Sequence, residues 1–291
     1  VVRDAAKLDR DVHVAPQIAA EIHDTHTAAP ELSDDVIPVA DKAPYTLRRD
    51  HAARRYHAPV PDAINRLIDA HGPAAICAAL APMMTAERIA RIDAVLAARL
   101  VSVALAVEDT YDPHNAAATI RTSEALGLQD LHVIETNERF SATKGVTRGA
   151  HRWIDLHRWS SAQAAAEGLR AAGFRVYATR PDAPRSIDDV DVATPLAVMF
   201  GNEHAGLSEA ALAACDGALA VPMFGFTESY NLSVTVALAM SRIAARRRAH
   251  LAAPGDLDDV RRARLRARWF ALGIRGVVHV LERVLSSSGS G

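Results

Sequence analysis

The residues best suited to chemistry in this 291-residue chain gather in three stretches. The first is Asp112-Pro113-His114-Asn115 with Arg121 six positions after the Asn, where a strand ends in a Pro turn and a helix starts. On a helix those two side chains do not face quite the same way, yet both lie within two turns of the strand's carboxyl end. The second, Gly201-Asn202-Glu203-His204-Ala205-Gly206-Leu207-Ser208, sets a carboxylate between glycines that let the backbone approach a ligand closely. The third runs Val221-Pro222-Met223-Phe224-Gly225-Phe226-Thr227-Glu228-Ser229-Tyr230-Asn231-Leu232-Ser233, and Ser229 or Asn231 caps a helix whose N-terminus points donors at a ligand. Taken singly, each stretch has an ordinary structural reading: a capping Asn with a surface Arg, a tight strand-to-helix turn with an exposed Glu, and a capping cluster.

Other chemistries lack their signatures. No GxGxxG follows the first strand and no GxxxxGK[ST] occurs, so the phosphate-cradling glycines of dinucleotide folds and P-loops are missing. The thirteen histidines show no HExxH or HxxxH spacing, and no metal is expected. Cys77 and Cys215 are far apart in Ala-rich surroundings, which predicts no disulfide framework and a reducing, cytoplasmic home. No window approaches the ~20 apolar residues of a membrane helix. The net charge of −2 does not announce a polyanionic partner. Arginines nevertheless crowd the C-terminal region at Arg246, Arg247, Arg248, Arg261, Arg262, Arg264, Arg266 and Arg268. They suit a phosphate backbone, or equally a solvated helix face pairing with Asp256, Asp258 and Asp259.

Elements must position these stretches. From residue 101 onward short strand-like apolar runs alternate with longer helical ones, which predicts an α/β fold with a mostly parallel sheet and helices on both faces. Strands are expected at 101–107, 131–135, 175–179, 195–200 and 218–221, and helices at 116–126, 162–172, 208–214, 231–248, 257–272 and 274–285. A further helix is capped by Thr85 and carries Ile89, Ile92 and Leu96 on one stripe. Residues 1–84 read as an N-terminal extension, partly disordered or small and helical; 85–250 form the main domain, 251–285 arginine-rich helices, and 286–291 a flexible tail.

In order and spacing the three stretches resemble the motifs of the SpoU, or TrmH-like, branch of the SPOUT methyltransferases: an Asn and an Arg six residues on, a Gly-x-Glu-x-x-Gly loop, then a Pro followed by Ser-x-Asn-x-Ser. The resemblance runs from about residue 85 to about residue 285, with Gly149, Ala150 and Trp153 looking like the segment between the first two motifs. It implies a C-terminal trefoil knot, a homodimer, and S-adenosyl-L-methionine (SAM) held by Thr179, Gly201, Asn202, Gly206, Val221, Met223, Tyr230, Asn231 and Leu232. It also implies transfer of methyl to an RNA ribose 2'-hydroxyl, with Arg121 essential and Asn115, Glu203, Ser229 and Asn231 shaping the site. A guanidinium ionises only above pH ~12, so Arg121 suits a phosphate better than a proton. Arg121, Arg246, Arg247, Arg261, Arg262 and Arg264 are the residues expected on RNA. The helix before the first strand and the Trp269-containing tail look like the subgroup acting on guanosine 18 of the tRNA D-loop. Ribosomal RNA is the alternative substrate, and a knotted RNA-binding protein without turnover the alternative of another class. Tyr230 departs from the pattern, standing where Leu is usual, and the first 80 residues have no counterpart in the plain tRNA enzyme.

Overall fold

A computed structural model describes residues 54–55, 62–142 and 144–287. The expectations for most of the N-terminal extension and for the end of the tail lie outside the described residues.

The sheet contains six parallel strands, β2 (Val103–Glu108), β3 (Asp130–Ile134), β4 (Asp155–Trp159), β5 (Arg175–Thr179), β6 (Leu196–Phe200) and β7 (Gly217–Leu219). A two-residue strand, β1 (Arg54–Arg55), lies antiparallel against β4, and the order is β1-β4-β3-β2-β6-β5-β7. The chain therefore builds outward from β2 in one direction, then returns to lay β6 on its other side. Strand β2 is buried at all six residues, as a central parallel strand covered on both faces must be. Its side chains alternate: Val103, Leu105 and Val107 join one core, while Ala104 and Ala106 join the other.

The first core is closed by α3 (Pro113–Ala125) and α7 (Leu232–Leu251), the second by α5 (Ala162–Ala171) and α6 (Glu209–Ala214). On the second face small residues are needed because helices come close. A Cβ on Gly168 would lie 2.3 Å from the Trp159 ring. A short helix, α4 (Lys144–Thr147), precedes β4.

A third core is entirely helical: α1 (Asp62–Leu80), α2 (Ala86–Ala97), α8 (Asp259–Leu272) and α9 (Val277–Ser287) pack around Ile64, Ile76, Leu96, Leu265, Trp269 and Leu281. Gly72 at φ 81°, followed by Pro73, kinks α1 and separates its Ile64 and Ile68 from its Ile76 and Leu80. The expected N-cap is present, with Thr85 accepting from the Arg88 backbone N–H. The strand missed in the sequence, β4, reads Asp-Leu-His-Arg-Trp. Its charged positions are paired with neighbouring groups, so it carries no apolar run.

Those pairings correct the expectation that the C-terminal arginines hold RNA. Arg261 donates to Asp130 at 2.6 Å and to Asp155 at 2.9 Å, and Arg268 to Asp155 at 2.6 Å. Arg247 is buried and donates to Ser102 Oγ and to the Val192 and Ala193 carbonyls; Arg246 donates to the Ile187 and Val190 carbonyls. Arg246, Arg247 and Arg261 are thus structural ties, each donating to groups inside the chain. Arg262 and Arg264 stay at the surface, paired with Asp259 and with Asp69 of α1. Arg266 pairs with Asp93 of α2. The arginine-rich helix α8 is the hub that joins the helical core to the sheet edge. No described helix is long and apolar enough to cross a membrane.

Candidate functional site

The carboxyl ends of β5, β6 and β7 frame a cavity of about 340 Å³. This is where open α/β sheets bind ligands, and the volume lies within the usual range for small-molecule sites. Phe200, Leu219, Val221 and Leu232 give it apolar walls, while Thr179, Ser229 and Thr235 contribute hydroxyls. Arg180, Pro181 and the loop after β6 complete it.

That loop is a built element. Asn202 and Gly206 exchange two backbone hydrogen bonds of 3.1 Å, and the Asn202 Oδ1 accepts from the His204 and Ala205 N–H groups at 2.9 and 2.7 Å. Two glycines make the turn possible. Gly206 sits at φ 70°, and a Cβ on Gly201 would fall 1.9 Å from the Gly206 carbonyl carbon. Side chains are excluded there by backbone, which does not yield.

Glu203 fixes the loop to the start of α3. Its Oε1 accepts from Asn115 Nδ2 at 2.7 Å and its Oε2 from the Tyr111 N–H at 3.4 Å. Asn115 is held in turn because Asp112 caps α3, accepting from the His114 N–H at 2.8 Å. Just before it, Asp109 adopts φ 44° and its Oδ1 accepts from three successive N–H groups, of Thr136, Asn137 and Glu138. Burial alone would raise the Asp109 carboxyl, but these bonds hold it below its ordinary range. Glu108 accepts from the Ser208 N–H and Oγ at 2.8 and 2.7 Å, so the end of β2 also fixes the start of α6.

The structure thus brings Asn115 and Glu203 together. Of the residues expected to hold a cofactor, Thr179, Gly201, Asn202, Gly206, Val221, Met223, Tyr230 and Leu232 line the cavity. Asn231 does not line it; its Oδ1 caps α7, accepting from the Ser233 N–H at 2.9 Å. Ser229 lines the cavity, as does Tyr230, which stays 40% exposed. Arg121 is not brought to the cavity within one chain. It lies exposed on α3 with no side-chain hydrogen bond or ion pair among the described residues. Sequence reading missed Arg180, Pro181 and Thr235 in the lining, and Glu108 and Asp109 in the support. Their signal was position alone, at or just beyond the strand ends or one turn into α7.

Residues 102–241 match the SpoU rRNA Methylase family. The chain is 40% identical over 163 residues to the tRNA (guanosine(18)-2'-O)-methyltransferase of Borreliella burgdorferi, covering 55% of this chain and 74% of that one. It is 37% identical over 156 residues to the enzyme of the same name from Thermus thermophilus, covering 53% and 80%. The structure of the Aquifex aeolicus TrmH/SpoU tRNA modifying enzyme superposes with a TM-score of 0.58 at 22% identity, over 65% of this chain and 98% of that one, which establishes a common fold.

Proposed function

Because the chain belongs to the SpoU rRNA Methylase family, we propose that it transfers methyl from SAM to the 2'-hydroxyl of guanosine 18 in tRNA. The observation that carries this reading is the cavity at the strand ends, lined by the second and third sequence stretches and tied to the first by the Asn115–Glu203 bond. The residues fit SAM. Apolar walls from Leu219, Val221 and Leu232 suit an adenine ring, and the Thr179, Ser229 and Thr235 hydroxyls suit the polar groups around it. The loop at Gly201 lets backbone approach where a Cβ has no room. When bound, SAM supplies an electrophilic methyl group that carries its own leaving group.

This chain's own part is placement. The Asn115–Glu203 bond locks the ligand loop to α3, which also carries Arg121. An exposed guanidinium without an internal partner is available to the phosphate beside the target ribose, bringing the 2'-hydroxyl into line. Six positions on a helix turn Arg121 well away from Asn115, so it serves a cavity other than the one its own Asn115 closes. A homodimer supplies that second cavity. Phe224 and Phe226, 98% and 109% exposed beside the cavity, with Val234 also exposed, form an apolar patch suited to such an interface. Sedimentation as a 31.2 kDa species at micromolar concentration would remove this part of the reading. The reading includes a trefoil knot whose loops are those around Thr179, residues 201–206 and residues 221–232, which line the cavity. On this reading residues 85–250 are the catalytic part, and its first helix, α2, packs with α1, α8 and α9 of the flanking parts. Transfer of labelled methyl to unmodified tRNA, with ribosomal RNA as comparison, tests the activity.

A further inference from the structure

A second cavity, of about 700 Å³, opens in the helical core and shares no lining residue with the first. It lies between α2, the 3-10 turn Ala81–Met83 and α8. One wall is aromatic and cationic. Trp153 and Trp269 meet edge to face with centroids 5.6 Å apart, and the Arg99 guanidinium stands 5.0 Å over the Trp269 ring. Met83, Ile92 and Val95 extend the apolar surface. Arg88 and Arg91 line it from α2, both exposed and neither bonded through its side chain among the described residues. The acids present are Glu124, occupied by Arg99 at 3.0 Å, and Glu87, so positive charge is in excess.

Behind this wall Trp269 is 1% exposed and Arg99 is fully buried, and among the described residues neither the Trp269 indole Nε1 nor the Arg99 Nε has a hydrogen-bond partner.

We propose that this cavity binds a nucleotide. The base lies against the half-buried Trp153, which the buried Trp269 and Arg99 hold from behind, and the phosphate is held by Arg88 and Arg91. Aromatic faces next to free guanidinium groups are the combination that selects a planar ring carrying an anion. The nucleotide comes either from a single-stranded part of RNA or from a free mononucleotide. The first source rests on the reading of the chain as an RNA methyltransferase; the second does not.

The test is calorimetric titration of the full chain with guanosine 5'-monophosphate and, separately, with a short single-stranded RNA, in saturating S-adenosylhomocysteine to fill the first cavity. Saturable binding of either probe is expected, weakened about tenfold or more in the Arg88→Ala/Arg91→Ala double variant. Both residues are exposed, so an unchanged Tm is expected for that variant. Binding of the mononucleotide identifies a free-nucleotide site, and binding of RNA alone a strand site; both support the proposal. No binding of either probe, equal affinity for an abasic strand, or wild-type affinity in the double variant would overturn it. Absence of S-adenosylhomocysteine binding would count against the proposed methyl transfer and leave this result readable.

Discussion

Asn115 Nδ2 donates to Glu203 Oε1 at 2.7 Å, joining two residues 88 positions apart and closing the ligand loop onto α3. Glu203→Ala removes the acceptor for both Asn115 and the Tyr111 N–H. Hydrogen bonds to a charged group contribute about 1.5–3 kcal/mol, so SAM affinity is expected to fall about tenfold or more. Glu203→Gln, which keeps one carbonyl acceptor, is expected to lose less. Calorimetry on the three proteins checks the order, and equal affinities would show that the bond does not shape the site.

Arg121→Ala is expected to leave the fold intact, within about 0.5 kcal/mol, because the side chain is exposed and unbonded. SAM binding should also persist. Methyl transfer is expected to fall about a hundredfold or more, the scale for losing one preorganised donor at a reacting centre. Single-turnover kinetics at saturating RNA separate this from weaker RNA binding. An unchanged rate would take Arg121 out of the reaction.

Arg261→Ala leaves the buried carboxylate of Asp130 and the half-buried one of Asp155 short of a partner. The cost of breaking a buried pair is about 3–5 kcal/mol, and urea unfolding at neutral pH should show a loss of that order. If the residue instead served RNA, stability would be unaffected and the salt dependence of RNA binding would fall.

His132 is buried, stacks on His157 at 4.6 Å and accepts from the Trp159 indole at 3.0 Å. Burial, reinforced by His157 and Arg261 and opposed by Asp130, pushes its pKa down to about 3 from 6.5. With the folded value lowered, the unfolded chain binds the extra proton, so this contribution is complete above pH 6.5 and is lost as pH falls toward 3. The slope approaches about 1.4 kcal/mol per pH unit within that window. His132→Gln should flatten the difference in unfolding free energy between pH 7 and pH 5, and a variant with the wild-type slope would assign the dependence elsewhere.

The sheet was legible where burial on both faces produces apolar runs, as in β2 and β6. It was not legible in β4, whose half-buried Asp155 and buried His157 have partners from other elements. Asn115, Glu203 and the lining of the cavity could be read because glycines, caps and a carboxylate fall at fixed spacings beyond strand ends. The arginines could not. Arg247 and Arg262 look alike in sequence, and only the presence of Ser102 and two carbonyls around the first makes it structural. Likewise the Trp153–Trp269 cavity joins residues from separate elements that share no motif.

The most direct test is transfer of labelled methyl from SAM to unmodified tRNA and to ribosomal RNA, followed by mapping of the alkali-resistant position. The account predicts one 2'-O-methyl group at guanosine 18 of tRNA. Label in ribosomal RNA alone would contradict the substrate, and label in neither would contradict the activity itself.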